Sequence, residues 1–203
     1  MNNNEATNEQ RKPITISTIH TKDNRHTKYF GISVKRLVFL DFLTLGLYTY
    51  YWFYKSWQAV KRQERSNISP FWRSIFHIFF TYCLFKRIEK SVNQYAEESK
   101  SLLPAKVFAT LYVLSYIISQ CLVLIKIPYP LVMSSLAIGL YVTKMTILGR
   151  IQQMILVKNA KVIPHYNPIK HFAAAEVILI VFGVFFFFMI MLMLFISMFM
   201  KPS

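Results

Sequence analysis

Residues Val177 to Met200 are 24 consecutive positions without one charged side chain. At a rise of ~1.5 Å per residue a helix of that length covers more than the ~30 Å of bilayer hydrocarbon. A helix satisfies its own backbone polar groups, so it crosses lipid without other protein around it. This run is a membrane span, and the rest of the chain has to fold beside it. The 203 residues are 54% hydrophobic and carry a net charge of +15, a combination rare in a soluble domain. Apolar and basic residues must therefore alternate in blocks, in lipid and at its surface.

Two further runs have span length. Val107–Ile125 is uncharged over 19 residues, entered through Pro104 and followed by Lys126, Pro128 and Pro130. Leu131–Leu148 follows a tight connection and is interrupted only by Lys144, near its end. Two earlier blocks are weaker. Leu37–Tyr54 contains Asp41 and Gly46, and seven of the ten residues from Tyr48 to Trp57 are aromatic. Tyr and Trp favour the headgroup level, so Tyr48, Tyr51, Trp52, Tyr54, Lys55 and Trp57 are expected to anchor this segment in the interface. Ile75–Phe85 has only 11 uninterrupted residues and runs into Lys86, Arg87 and Lys90. Ser69-Pro70 starts it, which predicts one helix from about Pro70 to Glu98.

The Lys and Arg distribution tests these spans. Residues 1–36 hold seven, 55–74 five and 86–106 five, against one in 126–130, four in 149–171 and one in the tail. The last three spans obey the positive-inside bias, with the C-terminus outside. The first two blocks do not, because 55–74 is as basic as its neighbours. Each is expected to dip into the membrane and return, or to lie in the interface. Three spans or five leave the N-terminus cytoplasmic. No apolar core precedes a cleavage site in the first thirty residues, so an internal hydrophobic segment is expected to direct insertion. The expected architecture is an all-α polytopic helical membrane protein. It has a polar basic tail over 1–28, a re-entrant or interfacial module over 29–100 and a three-helix transmembrane region over 101–203.

Residues 29–90 also carry a recognisable pattern: Tyr29-Phe30-Gly31-Ile32-Ser33, Thr44-Leu45-Gly46-Leu47-Tyr48, Tyr51-Trp52-Phe53-Tyr54-Lys55-Ser56-Trp57, Asn67-Ile68-Ser69-Pro70-Phe71-Trp72-Arg73 and Tyr82-Cys83-Leu84-Phe85. The pattern resembles a bacterial family of small integral membrane proteins of unknown function. The resemblance implies a bacterial cytoplasmic (inner) membrane location and an all-helical fold, and it brings no catalytic residues.

Chemistry-bearing motifs are sparse. The five glycines have no phosphate-loop spacing, and Cys83 and Cys121 have no ligand-like neighbours, so no cofactor, disulfide or metal site is expected. His165 and His171 read as solvated loop residues, and His77 as a helix–helix hydrogen-bonding residue. The cations flank apolar blocks instead of forming a basic domain, which points to anionic lipid headgroups and away from nucleic acid. Three charges lie in or beside apolar blocks: Asp41, Lys144 and Glu176. Lys144 and Glu176 are expected to pair across adjacent helices, and Ser135, Gly139 and Thr143 at spacing four to form a close-packing face. With the candidate polar groups dispersed, no enzymatic activity is expected. The expected role is a lipid-interface or interaction module of the cytoplasmic membrane, alone or as a homo-oligomer or with a membrane partner. The alternative is a subunit of a small transporter or channel using Lys144 and Glu176.

Overall fold

The computed structural model describes residues 29–94, 104–124, 129–163, 165–169 and 171–199. The basic tail over 1–28, the connection around Lys126 and the end of the helix expected to reach Glu98 lie outside the described residues. The described residues form seven helices and no strand. They are α1 (Val34–Leu43), α2 (Leu47–Glu64), α3 (Pro70–Ile75), α4 (His77–Asn93), α5 (Ala105–Leu124), α6 (Pro130–Val162) and α7 (Ala174–Phe199). Three of them, α5, α6 and α7, are long and apolar enough to cross a membrane. The all-α polytopic expectation holds.

Both N-terminal blocks fold back on themselves. Ser33 opens α1, its Oγ accepting from the Arg36 N–H at 3.3 Å. The helix ends at Thr44, whose hydroxyl donates to the Leu40 carbonyl and accepts from the Tyr48 N–H. Leu45 and Gly46 follow with φ of 53° and 91°, two left-handed residues in succession that reverse the chain. Asp41 then ties α1 to the start of α2, accepting from the Thr49 N–H at 2.9 Å and the Thr49 hydroxyl at 2.7 Å.

The second block behaves similarly. The helix predicted to run unbroken from Pro70 is interrupted at Phe76, whose ψ of 36° leaves helical geometry. The break lets α3 run back along α2, while α4 leaves beside α2 in the opposite sense. Phe53 meets His77, Trp57 meets Phe80 and Glu64 pairs with Arg87, so α2 and α4 run parallel.

One long helix organises the rest. α6 has 33 residues, about 50 Å at helical rise, and so exceeds the hydrocarbon thickness. Its first part is largely exposed, whereas Met145, Ile147, Leu148, Ile151, Gln152, Ile155, Lys158 and Asn159 are buried. The span expected to stop at Leu148 thus continues as a helix into the core of the 29–94 module, because an apolar stripe with Gln152 and Asn159 on it meets the N-terminal segment there. That segment runs antiparallel along α6. Asn159 bonds both backbone groups of Tyr29, Gln152 donates to the Ile32 carbonyl at 2.8 Å, and Tyr141 donates to Asp41 at 3.2 Å.

Most of the aromatic run is packed inside the protein. Tyr48, Trp52 and Trp57 are fully buried and Tyr51 nearly so, while Tyr54 and Lys55 are half-buried. An aromatic run seven in ten long populates every face of a helix, so α2 has to be enclosed; α1, α3, α4 and α7 pack around it. Trp52 donates its indole N–H to Gln152 at 2.7 Å. The exposed aromatic face is instead on α3 and the start of α4, where Phe71, Trp72, Phe76 and Phe79 are at least 49% exposed. Outside the spans, burial pushes the Tyr29 phenol up to about 12.

Candidate functional site

The three charges singled out in the sequence are buried or half-buried, but they pair differently from expectation. Glu176 opens α7 and caps it, accepting from the Ala173 N–H at 3.0 Å. Its other partners are Arg36 at 2.9 Å and the Tyr48 hydroxyl at 2.6 Å, both from the first hairpin. Lys144 is not among them. The connection 149–171 joins the cytoplasmic ends of the two spans and so suggested that α6 and α7 would be neighbours, yet α1 packs against both and stands between them. Arg36 also donates to the carbonyls of Ile169 and His171, so this cluster fastens α7 to the hairpin. At the hairpin tip, a Cβ on Gly183 would sit 2.7 Å from the Leu43 carbonyl oxygen, a backbone approach that only glycine permits.

Lys144 faces a different partner. With Asp41 and His77 it lines a cavity of about 640 Å³ bounded by the hairpin tip, the break at Phe76, the middle of α5 and the exposed half of α6. This volume lies within the ~300–1,000 Å³ typical of small-molecule sites. The sequence reading treated the polar groups as dispersed; folding both N-terminal blocks back brings them together. Asp41 is 1% exposed, and three donors from Thr49 and Tyr141 occupy its carboxylate. Lys144 makes no ion pair within 4 Å among the described residues, and its ammonium stands 5.6 Å from the Tyr116 ring centroid.

His77 differs from its expected role as a helix–helix hydrogen-bonding residue. It is 1% exposed, yet neither ring nitrogen has a hydrogen-bond partner, although the Ser74 and Ile75 carbonyls are nearby. Aromatic rings surround it instead: Tyr50 and Phe53 at 4.8 Å, Tyr116 at 5.4 Å and Tyr112 at 6.0 Å between centroids. Both ring nitrogens are enclosed by protein, so the ring forms part of the cavity wall without presenting a nitrogen to the cavity. Beyond the polar wall, the cavity is rimmed by Phe42, Leu45 and Ile138, which are 67%, 48% and 63% exposed.

The remaining expectations resolve simply. Ser135, Gly139 and Thr143 are exposed, and nothing lies within 4 Å of a Cβ on Gly139, so none of the described helices packs on that face. The small side chains invite close approach, but the hairpin docks lower on α6, where Gly149 faces Val34. His165 and His171 are exposed, Cys83 and Cys121 are free thiols, and no group of three metal-ligating side chains occurs among the described residues. Sequence reasoning missed the tyrosines of the cavity wall. Tyr112, Tyr116 and Tyr141 recur near the middle of two apolar spans, and that polar-tipped recurrence was the available signal. Compared with protein-family models, curated proteins and solved structures, the chain matches none.

Proposed function

We propose that this is a non-enzymatic integral membrane protein of the cytoplasmic membrane that receives an amphiphilic ligand from the lipid into the Asp41–His77–Lys144 cavity. The observation that carries the reading is the cavity's composition: a polar, aromatic interior with an exposed apolar rim of Phe42, Leu45 and Ile138. The rim lies beside the exposed half of α6, where the surroundings of a membrane helix are acyl chains. Binding without turnover is supported by Asp41, whose carboxylate is committed to three protein donors and so is poorly placed to act as a base.

The same reading places the module in the cytoplasmic leaflet. The Glu64–Arg87 pair, the Lys158–Ser91 contact and the Tyr29–Asn159 bonds gather at one end of the molecule, and that end is rich in cations. Anionic headgroups would attract each of these cations by about 1 kcal/mol. This favours a cytoplasmic N-terminus and an outside C-terminus. The exposed aromatic face of α3 and α4 takes over the anchoring role that the buried Tyr48–Trp57 run does not fill. Transport remains the second reading through the same cavity, with Asp41 in place of Glu176, whose carboxylate is fully engaged elsewhere.

The test is photolabelling of the full-length protein in phosphatidylcholine nanodiscs with a diazirine-bearing alkyl probe that has a small uncharged head. Labelling is expected to saturate and to map to Phe42, Leu45 or Ile138. Leu45→Trp with Ile138→Trp fills the rim at exposed positions and should reduce labelling several-fold. Labelling that neither saturates nor responds to the double substitution would refute the reading.

A further inference from the structure

A second hollow lies where α1 runs along α6, and it shares only Tyr141 and Met145 with the cavity described above. The two helices are fastened at two points. Tyr141 donates to Asp41 at 3.2 Å, and further along α6 Gly149 meets Val34, whose methyl group would stand 3.1 Å from a Cβ placed there. Along this stretch runs a groove of about 420 Å³ lined by Val34, Val38, Val142, Met145 and Thr146. Arg150 and Gln153 stand at one end of it.

Depth in the membrane identifies what can fill it. Arg150 lies 20 residues beyond Pro130 on one continuous helix, which at ~1.5 Å per residue is about 30 Å, the thickness of the hydrocarbon. With Pro130 at one boundary, Arg150 stands at the other. The groove from Tyr141 to Arg150 then covers about 14 Å, close to the ~15 Å of a single leaflet. Over that depth its lining is apolar or small, and Val142 is 54% exposed, so the groove opens onto acyl chains. A lipid tail fits those walls.

The groove's end selects the head. Arg150 is exposed and makes no ion pair within 4 Å among the described residues. No Asp or Glu occurs from Pro130 to His171. Asp41, the one carboxylate of α1, is held by Thr49 and Tyr141, and Glu176 at the start of α7 is held by Arg36, Tyr48 and the Ala173 N–H. With no carboxylate of these helices free, the ammonium of a zwitterionic headgroup finds no partner here. A phosphate does, because a guanidinium presents parallel N–H donors that match its oxygens, and Gln153 adds an exposed amide one turn on.

We infer that the α1–α6 groove binds one phospholipid whose headgroup carries a net negative charge. One acyl chain lies along Val38, Val142 and Met145, and the phosphate accepts from Arg150 and Gln153. The site is distinct from the cavity, since Thr146 and Arg150 line the groove alone, and each reading can fail without the other.

The experiment titrates the full-length protein, stripped of lipid in detergent, with dioleoyl phosphatidylglycerol and with dioleoyl phosphatidylcholine, and native mass spectrometry counts the lipids retained. One phosphatidylglycerol is expected to bind about fivefold more tightly than phosphatidylcholine, the effect of one surface cation on one net negative charge. Arg150→Gln should weaken phosphatidylglycerol about tenfold, as the loss of a charge-assisted hydrogen bond, and level the two lipids. Lys161→Gln removes the same charge from an exposed position in the last turn of α6, outside the groove, and should leave the preference intact. Thr146→Trp fills the groove at an exposed position and should weaken both lipids several-fold. Equal affinity of the native protein for the two lipids would overturn the inference. So would equal losses in Arg150→Gln and Lys161→Gln, which would reduce the preference to overall charge. A dimer in the same spectra that retains no lipid and is split by Thr146→Trp would give the groove to a second copy of the chain and overturn it too. The comparison of the two lipids needs only the native protein, so it decides the matter even if a groove variant fails to fold.

Discussion

Replacing Arg36 by methionine should destabilise the protein, and the size of the loss follows from what Glu176 keeps. The Glu176 side chain is 2% exposed, and its carboxylate receives Arg36, Tyr48 and the Ala173 N–H. Breaking a buried pair by removing one partner costs ~3–5 kcal/mol. Two donors remain here, and Arg36 is itself 14% exposed, which sets the expectation at the lower end, about 3 kcal/mol. Glu176→Gln removes the charge but keeps an acceptor, for a loss of about 2 kcal/mol. The double variant has neither unpaired charge. It should lose only about 3 kcal/mol, giving a coupling of roughly 2 kcal/mol between the two positions. Equilibrium unfolding in mixed dodecyl maltoside–SDS micelles measures all four corners of the cycle. Lys144→Met combined with Glu176→Gln serves as the control and should be additive, because Lys144 is not a partner of Glu176. Additivity within about 0.5 kcal/mol for Arg36 and Glu176 would refute the argument, as would coupling for the control pair.

Gly183→Val should cost about 1–3 kcal/mol by pushing α7 off the Leu43–Thr44 backbone, whereas Gly139→Val, with open space around it, should be close to neutral; the same unfolding assay compares them. Among the three tryptophans only Trp72 is exposed, so brominated-chain lipids should quench its fluorescence in single-Trp variants and leave Trp52 and Trp57 nearly untouched; equal quenching of all three would contradict the buried aromatic run. Tyr29 holds its proton more tightly when folded, about 12 against 10.0, so its contribution to stability is complete below pH 10 and is lost as the pH rises toward 12. Tyr29→Phe should flatten the pH dependence of unfolding across that window.

The three spans were legible because their signal is local: uncharged length decides, and no tertiary knowledge is needed. Charge counting argued for a return or an interfacial position of the first two blocks, but the reversals at Leu45-Gly46 and at Phe76 left no mark in it. The fate of Tyr48–Trp57 was not legible either. Interfacial preference and burial favour the same residue types, and only the facing elements, such as Gln152 meeting Trp52, decide between them. The site was half legible. Asp41 and Lys144 stood out as charges in apolar surroundings, but their shared cavity depends on which helices are neighbours. The expectation for Glu176 failed for the same reason: spans joined at their cytoplasmic ends suggest adjacency, and α1 lies between the two helices.

The antiparallel docking of residues 29–41 along α6 has a consequence for how the chain is made. Tyr29 and Asn159 are 130 positions apart, and Gln152 lies 120 from Ile32. At synthesis rates of ~5–20 residues per second, the backbone groups of this first segment wait about 6–26 s for the side chains that will bond them. During that interval Trp52 and the first hairpin have no Gln152 to close on, and the aromatic run is an unfinished surface in contact with lipid or with a folding helper. The last-made half of α6 is then the closing piece of the first-made module. A truncation before residue 145 would therefore leave only α5 complete as a span while removing most of the α6 face on which the N-terminal module closes.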